Sequence, residues 1–122
     1  MKRRDVLTAG VLAASTLLAA CGGGGGGGAA QDLTVVAVEG FKYEPNTWTV
    51  KSGQSYKVTL QNKDPSLAHT WVVPELNKFT IRAEAGKNAT KTFTPNRAGT
   101  FQVECDEAGH KEAGMVGTLT VQ

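Results

Sequence analysis

The chain is predicted to fold as an all-β sandwich of seven to eight short strands. Three observations lead there. Short runs alternate apolar and polar residues with period two, turn-forming residues separate them at close intervals, and no useful length of sequence carries the apolar spacing of a helix. Small, evenly spaced strands of this kind bury one face each and close as two packed sheets.

Leu33–Glu39 is a mostly apolar run and reads as the first strand. Thr47–Val50 places Trp48 and Val50 on one side, and Lys51-Ser52-Gly53-Gln54 is a turn. Ser55–Asn62 alternates, with Tyr56, Val58 and Leu60 inward and Lys57, Thr59 and Gln61 outward. Lys63-Asp64-Pro65-Ser66 is a loop, His69–Val73 the next strand, and Pro74 its end. Glu75–Lys78 is expected to form at most one helical turn. Phe79–Ile81, Ala89–Thr94, Thr100–Cys105 and Met115–Gln122 complete the set, with Pro95 to Gly99 as a turn.

The 122 residues divide into three parts. Residues 1–20 read as an export signal: Lys2, Arg3 and Arg4 precede an uncharged, largely apolar run that is short for a membrane span and ends in small residues. Leu18-Ala19-Ala20-Cys21 resembles a bacterial lipobox, which implies that Cys21 carries lipid and anchors the chain to a membrane. Arg3-Arg4-Asp5-Val6-Leu7 resembles a twin-arginine signal, and an ordinary secretory signal is the alternative. Residues 21–31 hold seven consecutive glycines, Gly22 to Gly28, and are expected to be a flexible tether. Residues 32–122 suffice for one domain. Residues 1–20 take away three basic residues and one acidic from the 13 and 11 of the whole chain, leaving ten of each. A neutral domain without a basic patch argues against a nucleic-acid partner. The location expected is the periplasmic or cell-surface side of a bacterial membrane, for a monomer.

Both histidines, the only methionine after Met1 and the only cysteine besides Cys21 belong to one constellation: His69, then Cys105, His110 and Met115 spaced C-x4-H-x4-M. Cys105 has no partner for a disulfide once Cys21 is lipidated, so its persistence in an oxidising compartment needs a chemical reason, and metal ligation supplies one. Two imidazoles, a thiolate and a weak thioether form the donor set of a mononuclear blue-copper site cycling between Cu(I) and Cu(II). Strand alternation directs Phe101, Val103 and Cys105 to one face, gives Met115 the parity of Leu119 and Val121, and gives His69 that of Trp71 and Val73. His110 falls on the rim loop, the expected electron port.

Longer stretches carry a resemblance as well. Glu39 to Pro45, Val50 to Gly53, Leu60 to Asn62, Ala68-His69-Thr70-Trp71-Val72-Val73, Ala98 to Cys105 and Gly109 to Val121 resemble the cupredoxins, the small blue-copper proteins. The resemblance implies a Greek-key sandwich, one copper ion, His69, Cys105 and His110 as equatorial ligands and Met115 as the axial one. Two departures touch the surroundings. Ala108-Gly109 stands where many relatives have Pro-Gly, and Thr70 where many have an asparagine that ties the two ligand loops together. Thr70, Glu107 and Ala108 are therefore expected beside the ligands, where they tune the metal. The run from Ala68 to Leu76 also resembles the copper domain of cytochrome oxidase subunit II, but a binuclear centre needs a second cysteine.

The function expected is single-electron transfer between redox proteins, such as a c-type cytochrome or a membrane oxidase or reductase complex, with no enzymatic role. A copper delivery or storage module uses the same ligands but usually wants several methionines. A small copper enzyme would need an open coordination position, and a cysteine nucleophile would need an orienting group that is not apparent. Zinc takes cysteine and histidine, but methionine poorly. Glu104, Asp106, Glu107 and Glu112 surround the site in sequence, and Asp106, Glu107 and Glu112 are the expected docking charges for a basic partner.

Overall fold

The computed structural model describes residues 29–122. The expected signal, Cys21 and the glycine run lie outside the described residues. Nine strands follow in order: β1 (Gln31–Val38), β2 (Lys42–Tyr43), β3 (Thr47–Val50), β4 (Tyr56–Asn62), β5 (His69–Val73), β6 (Phe79–Ala83), β7 (Asn88–Phe93), β8 (Gly99–Glu104) and β9 (Val116–Val121). They form two sheets, ordered β2-β1-β4-β7 and β3-β9-β8-β5-β6. β1 pairs parallel with β4 and β3 parallel with β9, so the chain crosses repeatedly between the sheets. Among the described residues no helix is long and apolar enough to cross a membrane.

Eight of the nine strands correspond to the eight expected runs. The additional one is β2, which pairs with β1 through Ala37–Tyr43 and Val38–Lys42. Two residues are too few to show an alternation, so only pairing reveals it. β1 starts at Gln31, one residue inside the expected tether. Residues 75–78 form a tight turn rather than a helical one. Lys78 N–H reaches Pro74 O at 3.2 Å, but Asn77 and Lys78 take φ of 53° and 50°, a left-handed conformation that cannot propagate as a helix of L-residues.

Alternation translates into burial as read. Tyr56, Val58 and Leu60 are buried and Lys57 is exposed; Phe101, Val103 and Cys105 are buried and Gln102 is exposed; Leu119 and Val121 are buried. β5 departs, because all five of its residues are buried. Its inward face is His69, Trp71 and Val73, while the outward Thr70 is covered by the loop between β8 and β9. Trp71 then links the site end to the rest of the core. It meets Trp48 edge-on at 5.5 Å and Phe79 and Phe93 at 6.0 and 6.1 Å, and Trp48 meets Tyr43 at 5.5 Å. Edge-to-face aromatic pairs contribute about 0.5–1.5 kcal/mol each beyond burial.

Gly117 marks the tightest approach in this frame. Asn46 O accepts the Thr118 N–H at 2.9 Å, and a Cβ on Gly117 would fall 2.5 Å from that oxygen and 2.6 Å from the Trp48 ring. Backbone cannot yield as a flexible side chain does. Gly117→Ala is expected to destabilise the fold by about 1–3 kcal/mol, read as a lowered urea midpoint.

Candidate metal centre

Four elements deliver the constellation to one end of the sandwich. His69 opens β5, Cys105 follows the last residue of β8, His110 sits in the β8–β9 loop, and Met115 precedes β9. His69, Cys105 and Met115 are fully buried and His110 is 8% exposed. The donor atoms of His69, Cys105 and His110 all lie within 4.8 Å of one another. Nδ1 of His69 is 4.0 Å from Cys105 Sγ, and Nδ1 of His110 is 3.4 Å from it. The two imidazole centroids are 5.0 Å apart. Two nitrogens and one sulfur converging in an apolar interior are donors suited to a single borderline-soft ion.

The loop is closed by its own backbone. Cys105 N–H donates to Met115 O at 3.1 Å, and Met115 N–H donates to His110 O at 3.0 Å. These two bonds bring residues ten positions apart side by side and hold the Met115 backbone against Cys105 and His110. His110 N–H reaches Glu107 O at 3.0 Å, and Gly109 turns the chain with φ of 83°. A residue with a side chain is strained there, which is why glycine precedes the histidine. Phe41 packs edge-on against the His110 ring at 4.9 Å and covers part of its rim.

Thr70 joins the two loops. β5 and β8 share one registered pair, Val72 with Glu104, and beyond it toward the site the Thr70 side chain takes over from the ladder. Its hydroxyl accepts from Asp106 N–H at 2.8 Å and lies 2.7 Å from Asp106 Oδ1. It is also 3.5 Å from Cys105 Sγ, but a hydroxyl has one proton and the nearer carboxylate takes it. The sulfur keeps the Thr70 backbone N–H at 3.4 Å. The Tyr43 hydroxyl donates to Thr70 O from the far side. Burial, and then the negative charge of Cys105, Asp106 and Glu104, push the Tyr43 phenol above its ordinary range, so it stays a donor.

Asp64 and Tyr43 carry no distinguishing mark in the sequence beyond an Asp-Pro-Ser turn and an aromatic residue. Asp64 is nevertheless buried, with Oδ2 2.9 Å from His69 Nε2. Its Oδ1 accepts from Ser66 N–H (2.9 Å), the Ser66 hydroxyl (3.0 Å) and Leu67 N–H (3.2 Å). Asn62 fixes that loop: its amide donates to Leu67, Ala83 and Glu84 carbonyls, and its Oδ1 accepts Asp64 N–H at 3.0 Å.

One of the three expected docking charges is paired with a cation. Glu107 bonds Arg82 Nε at 2.7 Å, with Glu84 on the same guanidinium, and Glu104 pairs with Lys111 at 2.9 Å. Those carboxylates hold the Arg82 and Lys111 pKa values above their ordinary ranges. Asp106 accepts from the Thr70 hydroxyl but stays exposed and unpaired with any cation among the described residues, as Glu112 does on the loop. Ala108 is exposed on the outer side of the same loop.

Hydrogen bonds from Ser66 N–H first, then His69, the Ser66 hydroxyl and Leu67 N–H, lower the Asp64 pKa from 3.8 to about 2 against the opposing effect of burial. A depressed carboxylate adds stability above its unfolded pKa and loses it as pH falls through the folded one. The excess stability of the metal-free protein over Asp64→Ala, measured by urea denaturation, should therefore be present above 3.8 and shrink toward pH 2.

Known proteins share this architecture. The Cupredoxin-like domain family matches residues 7–121. The structure is similar to dithionite-reduced auracyanin from Roseiflexus castenholzii, with a TM-score of 0.67 and 22% identity over 78% of this chain and 99% of that one. It is also similar to the metal-binding domain of the Streptococcus pneumoniae Cu(I)-exporting P-type ATPase CopA, with a TM-score of 0.60 and 18% identity over 75% of this chain and 84% of that one. A stretch of 42 residues is 45% identical to the copper-resistant cuproprotein CopI of Pseudomonas aeruginosa, covering 34% of this chain and 23% of that protein. With its two-sheet sandwich and a match over nearly its whole length, the chain belongs to the cupredoxin-like family.

Proposed function

We propose that this protein binds one copper ion and transfers single electrons, exported and held at a membrane by lipid on Cys21. The observation that supports this most is the convergence of a ring nitrogen from each of His69 and His110 with Cys105 Sγ, all within 4.8 Å, in a buried site. His69, Cys105 and His110 would hold the ion, with Met115 as the weak fourth ligand. Copper there supplies a one-electron Cu(I)/Cu(II) couple that this donor set accommodates in both states. The protein's part is to hold the donors still and dry. Cys105 and Met115 are clamped to each other by backbone, His69 is fixed by Asp64, and Trp71, two residues along β5, is packed edge-on against Trp48. Small rearrangement on gaining or losing an electron follows from that rigidity. His110, with its 8% exposure, is the port through which a redox partner would couple.

The partner proposed is a redox protein such as a c-type cytochrome or a membrane oxidase or reductase complex. With Glu104 and Glu107 engaged by Lys111 and Arg82, Asp106 and Glu112 remain to steer a basic partner. Glu112→Lys should slow association at low salt, measured by stopped flow, and the difference should vanish as salt rises. An unchanged rate would remove the steering role.

The stretch shared with a copper-resistant cuproprotein favours a second reading, copper delivery or storage. Copper exchange separates the two: a carrier gives its ion readily to a competing chelator, whereas an electron shuttle keeps it through repeated redox cycles. For the first reading, copper-loaded protein is expected to show an intense thiolate-to-copper visible band that Cys105→Ser abolishes. A colourless protein that retains zinc in preference to copper would overturn it. Met115→Leu should keep copper and raise the reduction potential, since it removes a thioether that donates to Cu(II).

A further inference from the structure

We propose that Asp64 is a positioning residue that sets the tautomer of His69, so that Nδ1 turns a lone pair toward Cys105. Its consequence for copper rests on the ligand reading above; the placement of the proton stands on the hydrogen bonds alone. Asp64 and His69 are both buried, and Oδ2 lies 2.9 Å from Nε2. An ionised carboxylate only accepts, so Nε2 carries the hydrogen. Nδ1 of the neutral ring is then the unprotonated nitrogen, and it is the one facing Cys105 Sγ at 4.0 Å. Only an unprotonated ring nitrogen can ligate a metal, and the bond made by the other nitrogen decides which one that is.

Asp64 also closes a local turn, and the two roles fall on different oxygens. Oδ1 is held by Ser66 N–H, the Ser66 hydroxyl and Leu67 N–H; Oδ2 meets His69. Asp64→Asn separates them. The two backbone donors retain the amide oxygen at the Oδ1 position, because an amide nitrogen there would set donor against donor. The amide NH2 then occupies the place of Oδ2 and donates to His69 Nε2. The imidazole must accept at Nε2 and carry its hydrogen on Nδ1, toward Cys105, where it blocks the lone pair. The substitution preserves the turn and nearly the shape of the side chain while reversing the ring.

Two-bond 1H–15N correlation spectra of the metal-free protein report the tautomer directly, and Cu(I) competition titrations report the affinity. Wild type is expected in the Nε2–H form. Asp64→Asn is expected in the Nδ1–H form, with Cu(I) affinity lower by about 10–100-fold. Ser66→Ala, which weakens the turn without touching His69, should keep the wild-type tautomer. An Asp64→Asn protein that stays in the Nε2–H form, or that switches tautomer with no loss of affinity, overturns the proposal. Failure of wild type to take up Cu(I) would instead sink the proposed function, and the tautomer spectra would still decide the role of Asp64.

Discussion

Placing two imidazoles and a thiol at the end of an apolar sandwich is the constraint around which the rest of this structure is arranged. Buried polar groups are costly unless each finds a partner. His69 finds Asp64, Cys105 finds the Thr70 N–H, and the backbone of the Cys105–Met115 loop bonds to itself. Asp64 in turn is satisfied by Ser66 and Leu67, and Asn62 holds that segment to Ala83 and Glu84. The polar network is therefore deep rather than local: it runs from the β4–β5 loop through the site to the β8–β9 loop. Partly satisfied, such a network would loosen the core; fully connected, it specifies one arrangement.

The sandwich supplies the other half of the rigidity. Trp71 lies two residues from His69 on the same face of β5 and is surrounded by Trp48, Phe79 and Phe93. Movement of the first histidine would disturb that cluster. The close contact of Gly117 with Asn46 and Trp48 pins β9 to β3 just past Met115. Three of the four proposed ligands thus stand at the ends of strands whose positions are set by dense packing, while the fourth, His110, lies on a loop at the surface. That division is compatible with the proposed electron-transfer role, in which the centre is held inside and a partner would be met outside.

Thr70 stands where the resemblance to the cupredoxins implies an asparagine, and its own bonds join the same two loops. The hydroxyl spans to both the backbone and the carboxylate of Asp106, so the two loops stay joined although the amide of asparagine is absent. The sulfur retains a backbone donor, and Asp106 captures the hydroxyl proton that could otherwise reach it. The negative charge near the rim is similarly redistributed. Arg82, distant in sequence from Glu107, and Lys111, within the acidic stretch and paired with Glu104, neutralise two of its four carboxylates.

Alternation along Ser55–Asn62 and Thr100–Cys105 was enough to orient those strands, and the spacing of Cys105, His110 and Met115 was enough to nominate a site, because both depend on neighbours within a few residues. Two-residue β2 escaped for want of length, and the fully buried β5 blurred its own parity because a loop from elsewhere covers its outer side. Asp64 beneath His69, the Tyr43 hydroxyl on Thr70 and the cations on Glu104 and Glu107 were decided only by tertiary structure. Each is a contact between segments brought together by sheet pairing and loop closure, and a hydrogen bond or ion pair across such a gap leaves no period or spacing in the chain. The sequence alone determined which side chains could take part in the chemistry; folding decided which of their atoms face one another.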